Sequence, residues 1–174
     1  MQNDTQSRND DVKKLGELIK DSKFAMLTTI HEDGSLRSRP MATQQVEFNG
    51  DLWFFTGVST SKVHELQEHQ QVNVSYSNPD DNNYVSVSGT ASIVRDRDKM
   101  RELWNPAYKA WFPQALEDPD LCLLKVEVQG AEYWDAANSK LVQLIGFVKA
   151  VVTGKKYDAG ENREVDLKPN NPAA

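Results

Sequence analysis

Tight-turn dipeptides cut this chain into short β-rich pieces, and that punctuation limits the fold more than any other feature. Asp33-Gly34 stands between two extended runs, 24–30 and 35–43, and predicts a hairpin. Asn49-Gly50 is a second such signal, expected to join Val46 and Phe48 to the run Leu52-Trp-Phe-Phe-Thr56. Val72, Val74 and Tyr76 alternate with polar residues, as a half-buried strand does. The turn Asn78-Pro79-Asp80-Asp81-Asn82 then leads into a long strand, Tyr84 to Val94. Gly89 lies inside that strand and suggests a bulge or a sharp bend. A last extended stretch covers 121–135, with Cys122, Leu124, Val126 and Val128 on one face.

Helices separate some of these strands. Val12, Leu15 and Ile19 share one face of a helix over 11–20, with Asp10 or Asp11 as its cap. A short helix opens at Thr60-Ser61-Lys62 and runs to about His69. Asp96 caps another, with Met100, Leu103 and Trp104 inward. Pro106, Pro113 and Pro119 leave 105–120 as loop with short helical pieces. Leu141, Leu144, Ile145, Val148, Val151 and Val152 make an apolar stripe over 139–153, capped by Asn138 or Ser139 and stopped at Gly154. Many short strands with tight turns and a few helices predict a mainly β fold, an antiparallel β-barrel with helical covers. The expected organisation is a flexible N-terminus, 1–10, one domain, 11–155, and a disordered polar tail, 156–174.

Charge and composition narrow the function. A net charge of −6 argues against nucleic-acid partners and acidic membrane surfaces, which need a basic field, but allows a local basic pocket for one phosphate. No apolar run has the length of a bilayer span, and MQNDTQSRNDD has no apolar region of a secretory signal. The single Cys122 excludes an internal disulfide and reads as a small core residue inside LCLLKV; a reducing, cytoplasmic compartment is expected. His64 and His69 are five apart on one helix and face different ways, so no metal site is expected. Walker-type loops, GxGxxG, HExxH and paired-cysteine patterns are absent from the sequence.

One constellation stands apart. Arg37-Ser38-Arg39-Pro40 lies on the strand after the first hairpin, Thr56 ends the third strand, and Thr60-Ser61-Lys62 starts a helix. Hydroxyls, a lysine and free amides at a helix start suit a phosphate, and a neighbouring arginine can clamp the same oxygens. The same residues serve equally well as a helix cap, turn polar groups and exposed arginines on an edge strand. The pattern by itself leaves both open.

The run Phe54-Phe55-Thr56-Gly57-Val58-Ser59-Thr60-Ser61-Lys62, with Arg39-Pro40-Met41 upstream, resembles the pyridoxamine 5'-phosphate oxidase-like flavin-binding split barrels, in particular their general stress protein 26 branch. Glu132-Tyr133-Trp134-Asp135 and the Trp104 to Trp111-Phe112-Pro113 segment are similar to that branch, and the likeness covers roughly 11–155. The resemblance implies a six- to seven-stranded antiparallel split barrel that binds flavin mononucleotide (FMN) as a homodimer. It implies that Arg39, Thr60 and Lys62 hold the phosphate and ribityl chain, that the backbone of Met41 and Ala42, next to Pro40, faces the isoalloxazine ring, and that Phe55 and Thr56 lie beside the cofactor. Ser61 replaces the family's arginine and is expected to donate a hydroxyl to the phosphate, and Gln44 replaces a lysine at the ring edge and is expected to donate one hydrogen bond toward the ring; both changes remove positive charge. Trp134 matches a tryptophan given by the second subunit, and Tyr84 a glutamine near the ring. Trp104 and Trp111 either cover the cofactor mouth or pack beneath a loop. The chain lacks the Arg-Leu-His-type motif that grips pyridoxal in the true oxidases, so oxidation of pyridoxamine phosphate is not expected. The implied function is a flavin-dependent oxidoreductase of unknown substrate. The rivals are flavin storage or sensing without turnover, a barrel that uses flavin adenine dinucleotide (FAD) or a deazaflavin, and a barrel that has lost its ligand.

Overall fold

A computed structural model describes residues 2–44, 47–135 and 161–167. The chain begins with α1 (Gln2–Ile19), followed by β1 (Phe24–Ile30), β2 (Leu36–Ala42) and β3 (Asp51–Gly57). Helix α2 (Ser61–Glu68), strands β4 (Gln71–Asn78) and β5 (Asn83–Val94), and helix α3 (Arg97–Leu103) come next. Two 3-10 turns, Pro106–Ala110 and Ala115–Glu117, lead into β6 (Leu121–Asp135), and β7 (Glu161–Asp166) follows. The strands form a seven-stranded antiparallel sheet in the order β2-β1-β4-β5-β6-β3, with β7 also on β6. This is the expected mainly β split barrel. No helix among the described residues is long and apolar enough to cross a membrane.

Alternation sets what faces inward. Ala25, Leu27 and Thr29 of β1, Val72, Val74 and Tyr76 of β4, and Val85, Val87 and Ala91 of β5 are buried. The residues between them are more exposed, as a two-residue period requires. Strand β6 is covered on both faces. Leu124, Val126 and Val128 join the main core, whereas Leu121 and Leu123 join a second cluster with Met100 and Leu103 of α3. The register of β5 against β6 shifts between Ser88 and Gly89. A Cβ at Gly89 would run into the carbonyl oxygen of Glu127, so the bulge brings two backbones closer than a side chain permits.

Three expectations need correction. Phe48 lies outside any strand, and Val46 lies outside the described residues, so Asn49-Gly50 does not close a described hairpin. It feeds β3 into the sheet beside β6, where Val128 N–H bonds the Gly50 carbonyl at 3.0 Å. Strand-to-strand bonding across the barrel wins over the local turn signal. Helix α1 runs through residues read as a flexible terminus, so neither Asp10 nor Asp11 caps it. The segment read as a disordered tail, 156–174, contains β7, which pairs with Gly130 to Asp135. Its Val165 and the following Leu167 are buried while Arg163, Glu164 and Asp166 face solvent, and Arg163 pairs with Asp11 of α1 at 3.3 Å. The expected apolar helix at 139–153, its caps and Gly154 lie outside the described residues.

Candidate functional site

Strands β2 and β3 follow one another in sequence, yet no hydrogen-bonded ladder joins them among the described residues. A cavity of about 430 Å³ lies at this seam, a size that suits a cofactor. Pro40, Met41 and Ala42 line it from β2, and Phe55, Thr56 and Gly57 from β3. Thr60 and Lys62 enter at the start of α2, while Tyr108, Trp111 and Phe112 form a wall from the proline-bounded segment. Phe24 and Asp120 complete the lining.

One end is polar and charged. Lys62 Nζ donates to Thr56 Oγ1 at 2.9 Å and to Thr60 Oγ1 at 3.3 Å. The Thr60 hydroxyl does not cap α2; it donates back to the Gly57 carbonyl at 2.7 Å. Burial pulls the Lys62 pKa below the ordinary lysine value, and repulsion from Arg39 adds to this, against the pull of Glu65 and Asp120. An ammonium held short of water gains from an added anion. Asp120 fixes the loop at this end. Its carboxylate accepts from Ser59 N–H at 2.8 Å and Ser59 Oγ at 3.0 Å, and its carbonyl accepts from Val58 N–H at 2.8 Å. A Cβ at Gly57 would collide with this pinned carboxylate, which accounts for a glycine at the end of β3.

The other end is aromatic. Phe55 meets Tyr108 with ring centroids 5.2 Å apart, and Trp104 edge-on at 5.5 Å. Tyr108 continues to Trp111 at 6.5 Å. Trp104 therefore packs beneath the wall, whereas Trp111, 64% exposed, stands at the mouth. Cys122 is fully buried behind Thr56 and donates to its carbonyl at 3.4 Å; burial pushes its thiol up to about 11, so it is an inert core group.

Seven of the expected site residues meet here: Pro40, Met41, Ala42, Phe55, Thr56, Thr60 and Lys62. Four do not line the cavity. Arg39 binds Glu65 of α2 through both nitrogens, at 2.9 and 3.2 Å, and donates to Thr29 Oγ1 at 2.7 Å. Glu65 is 3% exposed and also accepts from the Thr29 hydroxyl at 2.5 Å. Burial alone would raise its pKa, but the bonds from Arg39 and Thr29 and the charge of Arg39 outweigh it and hold the carboxyl below the ordinary glutamate value. Arg39 forms an ion pair that ties β2 to α2, and its charge is close enough to Lys62 for the two to repel. Gln44 lines a smaller neighbouring cavity and donates to the Tyr108 hydroxyl at 3.1 Å. Ser61 points to solvent. Trp134 is 40% exposed opposite Tyr84, at the far end of β6 from Asp120.

Tyr108 and Asp120 were not singled out from the sequence. Asn105-Pro106 was the available signal for the first: Asn105 caps the 3-10 turn through Ala107 N–H, with proline at its start. Asp120 carries no local signal, because its partner Ser59 lies 61 residues away.

Comparison with known proteins agrees with this geometry. The sequence profile of the family described as pyridoxamine 5'-phosphate oxidase like matches residues 10–158. The protein bli-3 of Neurospora crassa is 33% identical over 164 residues, spanning 88% of this chain and 78% of that protein. A crystal structure assigned to general stress protein 26 of Jannaschia sp. CCS1 superposes with a TM-score of 0.76 at 26% identity, over 91% of this chain and 99% of that one. The general stress FMN/FAD binding protein of Xanthomonas citri gives a TM-score of 0.64 at 27% identity, over 75% and 92%.

Proposed function

The chain belongs to the pyridoxamine 5'-phosphate oxidase-like family, and from that premise we propose that it holds a flavin nucleotide, FMN or a close relative, at the seam between β2 and β3. The observation that carries this reading is one cavity with a lysine-hydroxyl end and an aromatic wall. Lys62, Thr56 and Thr60 would take the phosphate, the half-buried lysine gaining a counter-charge. The backbone of Met41 and Ala42 on one side and Phe55, Tyr108 and Trp111 on the other would hold the planar ring. A bound flavin would supply hydride or single-electron transfer, and the protein its position and electrostatics. The name of the Xanthomonas citri relative supports the ligand class.

The proposal includes a homodimer. Phe24 and Met26 of β1 are 57% and 42% exposed, and Pro40 beside them is exposed too. A second copy would cover this apolar strip and could bring its Trp134 to the cavity, which a Trp134 on the same chain does not line. A flavin-dependent oxidoreductase is the leading activity. The use of Gln44 on Tyr108, with no cation in its place, favours a second reading: flavin held for storage or sensing.

Absorption of the purified protein after loading with FMN and desalting tests the cofactor. A retained band near the flavin maximum is the expected result, and its loss on desalting with both FMN and FAD overturns the proposal. Bleaching of that band by NADH or NADPH separates turnover from storage.

A further inference from the structure

The aromatic wall of the cavity has one polar tip. Phe55 and Phe112 carry no hydrogen-bonding group on their rings, and Trp111 stands largely in solvent at the mouth. Tyr108 differs from all three. Its backbone is fixed in a 3-10 turn: Tyr108 N–H bonds the Asn105 carbonyl at 2.9 Å, and the Tyr108 carbonyl accepts from Trp111 N–H at 3.0 Å and Phe112 N–H at 2.9 Å. Its ring packs on Phe55, with centroids 5.2 Å apart, and on Trp104, at 5.9 Å. A side chain held this way has little freedom left to lose when a ligand arrives. The hydroxyl is held as well. Gln44 Nε2 donates to the phenol oxygen at 3.1 Å. A phenol can accept on its oxygen and still has one O–H to give. The bond from Gln44 uses a lone pair and leaves that O–H unspent; no acceptor for it lies among the described residues. Gln44 lines the smaller neighbouring cavity and Tyr108 the large one, so the amide reaches the large cavity only through the phenol.

We propose that Tyr108 donates its O–H to an acceptor on the edge of the flavin ring, and that Gln44 is a positioning residue that occupies a lone pair of the phenol and turns its proton toward the ligand. The inference rests on the flavin reading and deepens it. The expected bond from Gln44 to the ring becomes a relay: amide to phenol, phenol to ring. An isoalloxazine ring offers acceptor nitrogens and carbonyl oxygens on its pyrimidine side and none on its dimethylbenzene side, so the bond also selects which edge meets Tyr108. Two-electron reduction raises the electron density at those acceptors. A fixed donor in a partly dry site therefore favours the reduced ring over the oxidised one. A neutral phenol does so less strongly than an ammonium at the same place.

Potentiometric titration of the full chain loaded with FMN, together with affinities for oxidised FMN and riboflavin, tests this in Tyr108→Phe and Gln44→Met. Tyr108→Phe keeps the ring and its packing and removes the hydroxyl alone. It is expected to weaken oxidised FMN and riboflavin equally, by about threefold, because both carry the same ring. Reduced FMN should lose about tenfold more than oxidised FMN, which lowers the two-electron potential by about 30 mV. Gln44→Met should act in the same direction with about a threefold difference between the two oxidation states, or about 15 mV. A packing role alone would weaken both oxidation states alike and leave the potential where it is. An unchanged potential in either variant therefore overturns the proposal while leaving the flavin reading intact. So does a loss of FMN affinity in Tyr108→Phe with riboflavin unaffected, which would put the phenol at the phosphate. Failure of the unaltered protein to bind either FMN or riboflavin overturns the flavin reading itself.

Discussion

Two hydrophobic clusters meet across β6 and are built by different means. The barrel core takes its residues from strand alternation, and Leu27, Phe54, Val74 and Leu124 within it are at most 1% exposed. The smaller cluster gathers Met100, Leu103, Leu121 and Leu123 under partly buried aromatics, Trp53, Phe55, Trp104 and Phe112. Trp53 and Phe55 come from β3, whereas Trp104 and Phe112 come from the connection after α3, where side-chain edges rather than ladders hold the geometry. Phe55 and Phe112 of this second cluster also line the cavity, beside Tyr108 and Trp111. The barrel strands and the smaller cluster both contribute to the cavity lining, the strands part of its polar end and the cluster part of its aromatic end.

Neighbouring residues on β3 give the sharpest way to break that division. Phe54→Ala, at 1% exposure, is expected to cost about 3–5 kcal/mol in denaturant unfolding. Phe55→Ala, facing the other way, should cost less and weaken flavin binding more; equal losses of stability would erase the distinction. Arg39→Met should cost about 3–5 kcal/mol, because it leaves the buried Glu65 carboxylate without its guanidinium, with only the Thr29 hydroxyl and His31 Nδ1, 3.4 Å away, beside it. The Glu65 carboxyl is held below its unfolded value of about 4.3. Its contribution is therefore present above that pH and lost as pH falls through the lower folded value. The gap in melting temperature between Arg39→Met and the unaltered protein should narrow below about pH 4; a constant gap would assign the loss to packing alone. Lys62→Met should weaken FMN by about 1.5–3 kcal/mol, leave riboflavin binding unchanged, and barely move stability. Smallest of all, Trp111→Ala should change stability by no more than about 0.5 kcal/mol, given its 64% exposure, yet relieve quenching of bound flavin fluorescence.

How far the sequence reveals these features follows the range of the interaction. The hairpin at Asp33-Gly34, the Asp96 cap and the extent of β6 are legible because each depends on residues close in the chain. The bulge at Gly89 is legible because glycine inside a strand has few other uses. Strand β7 is not, since four of the six residues in Glu161–Asp166 are charged and its order comes from pairing with a strand far earlier. The same limit hides the partner of Arg39. A motif can say that an arginine sits near an anion site; it cannot say that a glutamate 26 residues on, buried on the facing helix, pairs with it. Lys62, Thr56 and Thr60 are the part of the site that the motif and the structure both bring together.

Strand β6 pairs with β5 along nearly its whole length, with β3 over its first half and with β7 over its second. A chain emerging from the ribosome can zip β1, β2, β4 and β5 together in order, but β3 has no ladder partner until residue 121 has been made. At ordinary synthesis rates of about 5–20 residues per second, that leaves an apolar strand waiting for on the order of several seconds with both edges bare. Nascent fragments that stop before β6 should therefore be the species most inclined to aggregate or to recruit chaperones, and the cavity at the β2–β3 seam should be among the last features of the fold to exist.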